Sequence, residues 1–108
     1  MAIPYGRGMS GTKEIGNGLV AVPTVAADLT TTDTWINQII LANTTEGAVT
    51  VTITDKNSGG AVTLIPNVSL AANTLYITVF PFAVKMTGGV NWVAGSTGIT
   101  AEIFGYKV

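Results

Sequence analysis

The chain has 108 residues, 47% of them hydrophobic and only 10% charged, with no cysteine, no histidine and a net charge of −1. That length fits one domain, and a chain of this size buries about two-thirds of its unfolded surface without needing a disulfide or structural metal. Thiol-redox and zinc chemistry lose their usual ligands, and the scattered basic residues Arg7, Lys13, Lys56, Lys85 and Lys107 form no footprint for nucleic acid or an anionic membrane.

Residues 1–17 form a segment of their own. Gly6, Gly8, Gly11 and Gly16 break any regular element, and Arg7, Lys13 and Glu14 make it richer in charge than the rest. It reads as an extended N-terminal arm: either a tether that grips a neighbouring subunit, with Tyr5 and Arg7 as the gripping residues, or a frayed terminus. The start Met1-Ala2-Ile3-Pro4-Tyr5-Gly6 has no charged head followed by an apolar core, so no secretory signal is expected. The Gly6-x-Gly8-x-x-Gly11 spacing precedes no strand–helix unit and is a chance match to a phosphate loop.

Residues 18–108 form the domain proper. A short strand is predicted over 18–23 and a second piece over 25–29, followed by a polar break at Thr30-Thr31-Thr32-Asp33. Residues 34–43 form a long strand with apolar groups on both faces, Trp35, Ile39 and Leu41 on one and Ile36 and Ile40 on the other. After the turn Thr44-Thr45-Glu46-Gly47, residues 48–54 alternate strictly: Val49, Val51 and Ile53 against Thr50, Thr52 and Thr54. A period of two in β-branched residues is the pattern of a half-buried strand.

The turn-rich run Asp55-Lys56-Asn57-Ser58-Gly59-Gly60 predicts a hairpin to residues 61–65. With one carboxylate and a lysine in it, that run does not read as a calcium loop. Pro66 and Asn67 interrupt, residues 68–70 resume, and Ala71-Ala72-Asn73 turns the chain again. Residues 74–80 alternate, Leu75, Ile77 and Val79 against Tyr76, Thr78 and Phe80, and Pro81 is expected to stop the strand. Residues 84–87 and 90–94 flank Gly88-Gly89, which predicts a two-residue hairpin. Gly95-Ser96-Thr97-Gly98 leads into the last strand, 99–108.

Seven to nine short strands with turns every 8–12 residues, and no helical period, predict an all-β antiparallel β-sandwich or jelly roll, with a barrel as the alternative. Catalysis is not expected. The carboxylates Glu14, Asp28, Asp33, Glu46, Asp55 and Glu102 lie mostly in predicted turns or the arm, and a glycosidase-like pair of Asp33 with Asp55 or Glu102 is not singled out. No cofactor or metal is expected. Asn43-Thr44-Thr45 and Asn67-Val68-Ser69 match the glycosylation acceptor, with no secretory signal to give that match a use. Trp35, Tyr76, Trp92 and Tyr106 are too spread for a sugar-binding platform and read as core or interface anchors.

No apolar run reaches the ~20 residues of a membrane helix, and aromatic residues make up only 7%, spread singly rather than in girdles, so no membrane partner is expected. The mean hydropathy is nevertheless high for a soluble chain. The weakly charged, apolar surface it implies is expected to be covered by other protein; the alternative is a compact monomer whose surface is mostly Thr, Asn and Gly.

The tract Ile39-Ile40-Leu41-Ala42-Asn43-Thr44-Thr45 followed by the Val/Thr strand, and the tract Leu64-Ile65-Pro66-Asn67-Val68-Ser69-Leu70-Ala71-Ala72-Asn73-Thr74, resemble the small β-sandwich structural proteins of tailed bacteriophages. The resemblance covers about two-thirds of the chain and leaves out the arm. It implies a non-enzymatic virion protein: a capsid decoration (cement) protein stabilising the phage shell or, alternatively, a tail or neck subunit. Apart from the resemblance, a carbohydrate-binding host-recognition module is a further alternative, favoured if Trp35 and Trp92 are solvent-exposed and coplanar. The resemblance also implies a dimer or trimer, assembly in the host cytoplasm, and the major capsid protein or other virion subunits as partners. Tyr5, Arg7, Trp35, Tyr76, Phe80 and Trp92 are the candidate assembly contacts.

Overall fold

Nine strands form among the residues described by the computed structural model, which are 13–16, 18–56 and 63–108. They are β1 (Lys13–Ile15), β2 (Val20–Ala21), β3 (Ala27–Asp28), β4 (Thr34–Asn43), β5 (Val49–Asp55), β6 (Thr63–Leu70), β7 (Thr74–Met86), β8 (Val90–Ala94) and β9 (Ile99–Lys107). The first sheet has the order β1-β9-β4-β7, with β2 also on β9 beyond β1. The second sheet has the order β3-β8-β5-β6, and every pairing is antiparallel.

The pairs β5·β6, β4·β7, β3·β8 and β2·β9 nest like one long hairpin whose successive rungs fall alternately in the two sheets. Rolled up, that hairpin is a jelly roll. Most of the segment expected as an arm lies outside the described residues, including Tyr5 and Arg7. Its end, Lys13–Ile15, is strand β1, with Ile15 opposite Gly105 and packed against the core.

Alternation places the core. In β5, Val49, Val51 and Ile53 are buried and Thr50, Thr52 and Thr54 face outward. Opposite them across the sandwich lie Ile36, Ile39 and Leu41 of β4 with Ile99, Ala101 and Ile103 of β9. Val90, Trp92 and Ala94 of β8 extend the core within the second sheet.

The structure departs from simple alternation in β4. Ile36 and Ile39, three apart, both turn inward, so Trp35 and Ile40 share the outer face while Ile39 and Leu41 join Ile36 inside. The cause is a bulge at Asn37: Ile36 pairs with Gly105 and Gln38 with Phe104, so Asn37 is an extra residue against β9. Such a bulge flips every side chain beyond it. Backbone packs tightly beside it, because a Cβ on Gly105 would run into the Trp35 carbonyl.

Pro81 does not end β7. Against β4 the register moves from Val84 to Val79 while β4 moves only from Ile36 to Gln38, so 80–83 bow outward opposite the Asn37 bulge. Proline lacks a donor, and in that bow at an open sheet edge none is needed. Pro66 likewise lies within β6, another edge strand, where an extra residue against β5 and Asn67 at φ 50° absorb the distortion. Strands expected over 18–23 and 25–29 shrink to the two-residue β2 and β3. Between them the chain switches sheets: Val22 N–H donates to Ile99 O, and the next carbonyl, Pro23 O, accepts from Ala94 N–H.

Gly88-Gly89 does not close a hairpin either, since β7 and β8 belong to different sheets. Both glycines have positive φ, as expected, but they make a corner between sheets. A Cβ on Gly89 would meet the Thr30 carbonyl. Asp33 Oδ1 accepts from Gly88 N–H at 2.8 Å, and Thr30 Oγ1 accepts from Val90 N–H at 2.9 Å. Asn43 holds the opposite corner. Its buried side-chain amide donates to the carbonyls of Gly47, Leu70 and Ala71 at 2.9–3.1 Å, and its Oδ1 accepts from Thr45 N–H and Thr45 Oγ1. Burial at this hub closes Asn43 to glycosylation in the folded state.

Candidate functional site

The two outer faces of the sandwich differ in kind. The second sheet presents Thr50, Thr52 and Thr54 of β5 with Ser69 of β6 and Asn91 of β8. Asp28 continues the polar surface, accepting from Asn91 Nδ2 at 3.0 Å and lying 3.8 Å from Lys56 Nζ.

The first sheet presents a largely apolar face. Leu75, Ile77 and Val79 of β7 point out of the sheet and are 61%, 53% and 66% exposed. Register places Ile40 beside Ile77, Ala42 beside Leu75 and Gln38 beside Val79. Phe104 of β9 lies beyond Gln38, and the exposed Phe82 stands in the bow just past Pro81.

The end of this face nearest the Gly88-Gly89 corner is aromatic and cationic. Trp35 and Tyr106, paired across β4 and β9, stack with centroids 5.2 Å apart and planes at 11°. Lys85 Nζ lies 5.6 Å from the Trp35 ring and 3.6 Å from Asp33 Oδ2. Glu102, on the same outer face, accepts from Gly18 N–H at 2.7 Å.

Of the sequence candidates, Trp35 lies on this face. Tyr76 and Phe80 are on β7 but point the other way, half-buried against the core. Trp92 is a core residue, 5% exposed, on the inner side of the second sheet. Trp35 and Trp92 therefore share no face and make no flat platform for a sugar ring. Tyr5 and Arg7 lie outside the described residues.

Sequence reasoning missed the role of Leu75, Ile77 and Val79. They alternate with Tyr76, Thr78 and Phe80, and the aromatic pair satisfies the inner face just as an aliphatic row would. The available signal was excess: a strand with large apolar groups at both parities has one set without a core to fill.

A cleft of about 310 Å³ opens at the far edge of the sandwich, where β1 and β2 of the first sheet approach β3 and β8 of the second. Glu14, Glu102 and Lys107 supply its charges, and Val20, Leu29 and Trp92 its apolar wall. The carboxylates considered for a catalytic pair are dispersed. Asp33 binds the Gly88 corner, Glu102 sits on the outer face, and Asp55 is buried at the end of β5 in the second sheet. Among the described residues no three of His, Cys, Asp or Glu gather as a metal site. Comparisons of the chain with protein-family models, with curated proteins and with solved structures give no match.

Proposed function

We propose that the chain is a non-enzymatic structural subunit that assembles through the outer face of its first sheet, as a decoration (cement) protein on the shell of a bacteriophage capsid. The observation that carries the assembly part is the row Leu75, Ile77 and Val79, more than half exposed on one face. These three leave roughly 300 Å² of apolar surface, and covering it is worth on the order of 7 kcal/mol at about 25 cal/mol per Å², before the costs of association. Among the described residues, no large hydrophobic side chain in the strands of the second sheet is exposed to that degree.

The virion part rests on the resemblance of the 39–45 and 64–74 tracts to phage β-sandwich proteins. The jelly roll is also an architecture of viral capsid domains, a support by analogy of fold. On this reading the partners are the major capsid protein or other virion subunits, and the chain joins the particle in the host cytoplasm.

The test is mass spectrometry and electron cryo-microscopy of gradient-purified particles of the phage that carries this gene. The reading expects the chain in stoichiometric copies on the shell surface. Copies confined to the tail or neck would overturn the decoration role in favour of the tail or neck alternative, and particles lacking the chain would overturn the virion reading altogether.

A further inference from the structure

A two-sheet sandwich has four edges, and open edges invite pairing with other chains unless short strands, charges, prolines or bulges blunt them. Three edges here carry those devices. On one edge of the first sheet, β1 and β2 are three and two residues long, with Glu14 in β1. On the second sheet, β3 is two residues long and contains Asp28, while β6 carries Pro66 and a bulge.

The fourth edge, β7, carries none of them over residues 74–80. Thr-Leu-Tyr-Ile-Thr-Val-Phe is seven residues of extended strand with no charge, proline or glycine. Pro81 and Lys85 come only after it. Left open, a segment of that composition is a template for another strand.

We propose that this edge is closed by the same segment of a second copy of the chain, the two β7 strands pairing antiparallel about a twofold axis through Ile77. The inference rests on the assembly reading above and extends it from the face of β7 to its edge: the second copy closes the edge, and the outer row stays available to the shell. Two copies of one strand pair antiparallel with like faces aligned only when the paired residue numbers sum to an even value. The register that uses all of 74–80, stopping at the Asn73 turn on one side and Pro81 on the other, sets Ile77 against Ile77, Leu75 against Val79 and Tyr76 against Thr78. The exposed row then continues from one copy into the next as an apolar ladder, and no charge meets its like at the axis.

The sequence of residues 1–12 is the other candidate within the chain for pairing with this edge. They contain Pro4, Gly6, Gly8 and Gly11, which suit a strand poorly. They also lead into β1, at the opposite edge of the first sheet. The second copy fits better.

Seven paired residues span about 24 Å. Across a molecule 20 Å thick, that is a footprint of roughly 500 Å² per copy, at the low end for a specific interface. The dimer is therefore expected to be reversible and concentration-dependent.

The absence of cysteine in the chain makes single-thiol variants clean. Ile77→Cys should form a disulfide-linked pair of twice the 11.1 kDa chain mass under mild oxidation. Leu75→Cys, whose own copy lies four residues off in the paired strand, should not. Ile77→Lys, half exposed and so tolerated by the fold, should weaken self-association at least tenfold by light scattering with an unchanged circular dichroism spectrum. Thr52→Lys on the other sheet should leave it unchanged. Three results would overturn the pairing: a wild-type chain that stays monomeric up to about 1 mM, linkage of the Leu75→Cys variant as efficient as that of Ile77→Cys, or a dimer undisturbed by Ile77→Lys. If the chain is found in purified particles but Ile77→Cys does not link, this pairing alone is overturned. If Ile77→Cys links but particles lack the chain, the virion reading alone is overturned.

Discussion

β5 and β7 carry the same alternation and put it to opposite use. In β5 the aliphatic row Val49, Val51 and Ile53 turns inward and the threonines face solvent. In β7 the aliphatic row Leu75, Ile77 and Val79 turns outward, and Tyr76, Thr78 and Phe80 face the sandwich. β5 lies between two neighbours in its sheet, β8 and β6, whereas among the described residues β7 has only β4. A period of two therefore identifies a strand without saying which parity is buried. Polarity set the right way round builds a core; the same polarity inverted on an edge strand leaves an apolar row exposed.

The largest expected effect breaks the comparison at its buried member. Val51→Asp puts an unpaired charge where Val51 has no exposure, and should cost about 3–5 kcal/mol, enough to unfold much of the population. Ile77→Asp, the matching position in β7, should change stability by less than about 1 kcal/mol. Urea denaturation of the two variants measures the difference, and equal losses would show that the β7 row is core after all.

Next is the corner where the second sheet hands the chain to the first. Asn43→Ala removes the donor to three carbonyls, of Gly47, Leu70 and Ala71. It should cost about 2–3 kcal/mol in thermal or chemical unfolding, because buried acceptors are left unpaired. Asn43→Asp should not rescue it, since a carboxylate offers no donor.

A smaller effect separates the two rows by size rather than charge. Val51→Ala should cost about 2 kcal/mol through lost burial and a residual cavity, whereas Val79→Ala should be nearly neutral for folding and show itself in self-association. The smallest effect concerns the aromatic end of the outer face. Lys85→Ala removes an exposed cation from above Trp35 and from its pair with Asp33, and should shift stability by about 0.5–1 kcal/mol, less at high salt.

Much of the fold was legible. β4 begins and ends where the pattern places it, β5 faces as its threonines suggest, and the hairpin from β5 to β6 and the turn at 71–73 follow from turn-forming residues. What escaped did so for local reasons. The Asn37 bulge breaks the parity of β4, and a polar residue among alternating apolar ones gives no sign of being the extra one. Gly88-Gly89 takes the positive φ its composition allows, but a glycine pair reads alike whether it returns a strand within one sheet or turns a corner between two. Pro81 stops a central strand but is tolerated in a bowed edge, and edge status depends on partners remote in sequence.

That the surface would carry apolar groups was legible; which residues carry them was not. Low charge and high hydropathy pointed to apolar surface. The aromatics drew the candidates toward Trp92, which is core, and toward Tyr76 and Phe80, which face inward, because large rings fill a core as readily as an interface. Leu75, Ile77 and Val79 became visible only once the neighbours of β7 were known.

The most direct test of the central claim, that the β7 edge and its outer face are an interface, is amide hydrogen exchange followed by mass spectrometry at low and high protein concentration. Exchange over residues 74–80 should slow as concentration rises, while β5 and β6 keep the same rates at both. Rates over 74–80 that are fast and independent of concentration would contradict the account, because the apolar edge would then stand open in solution.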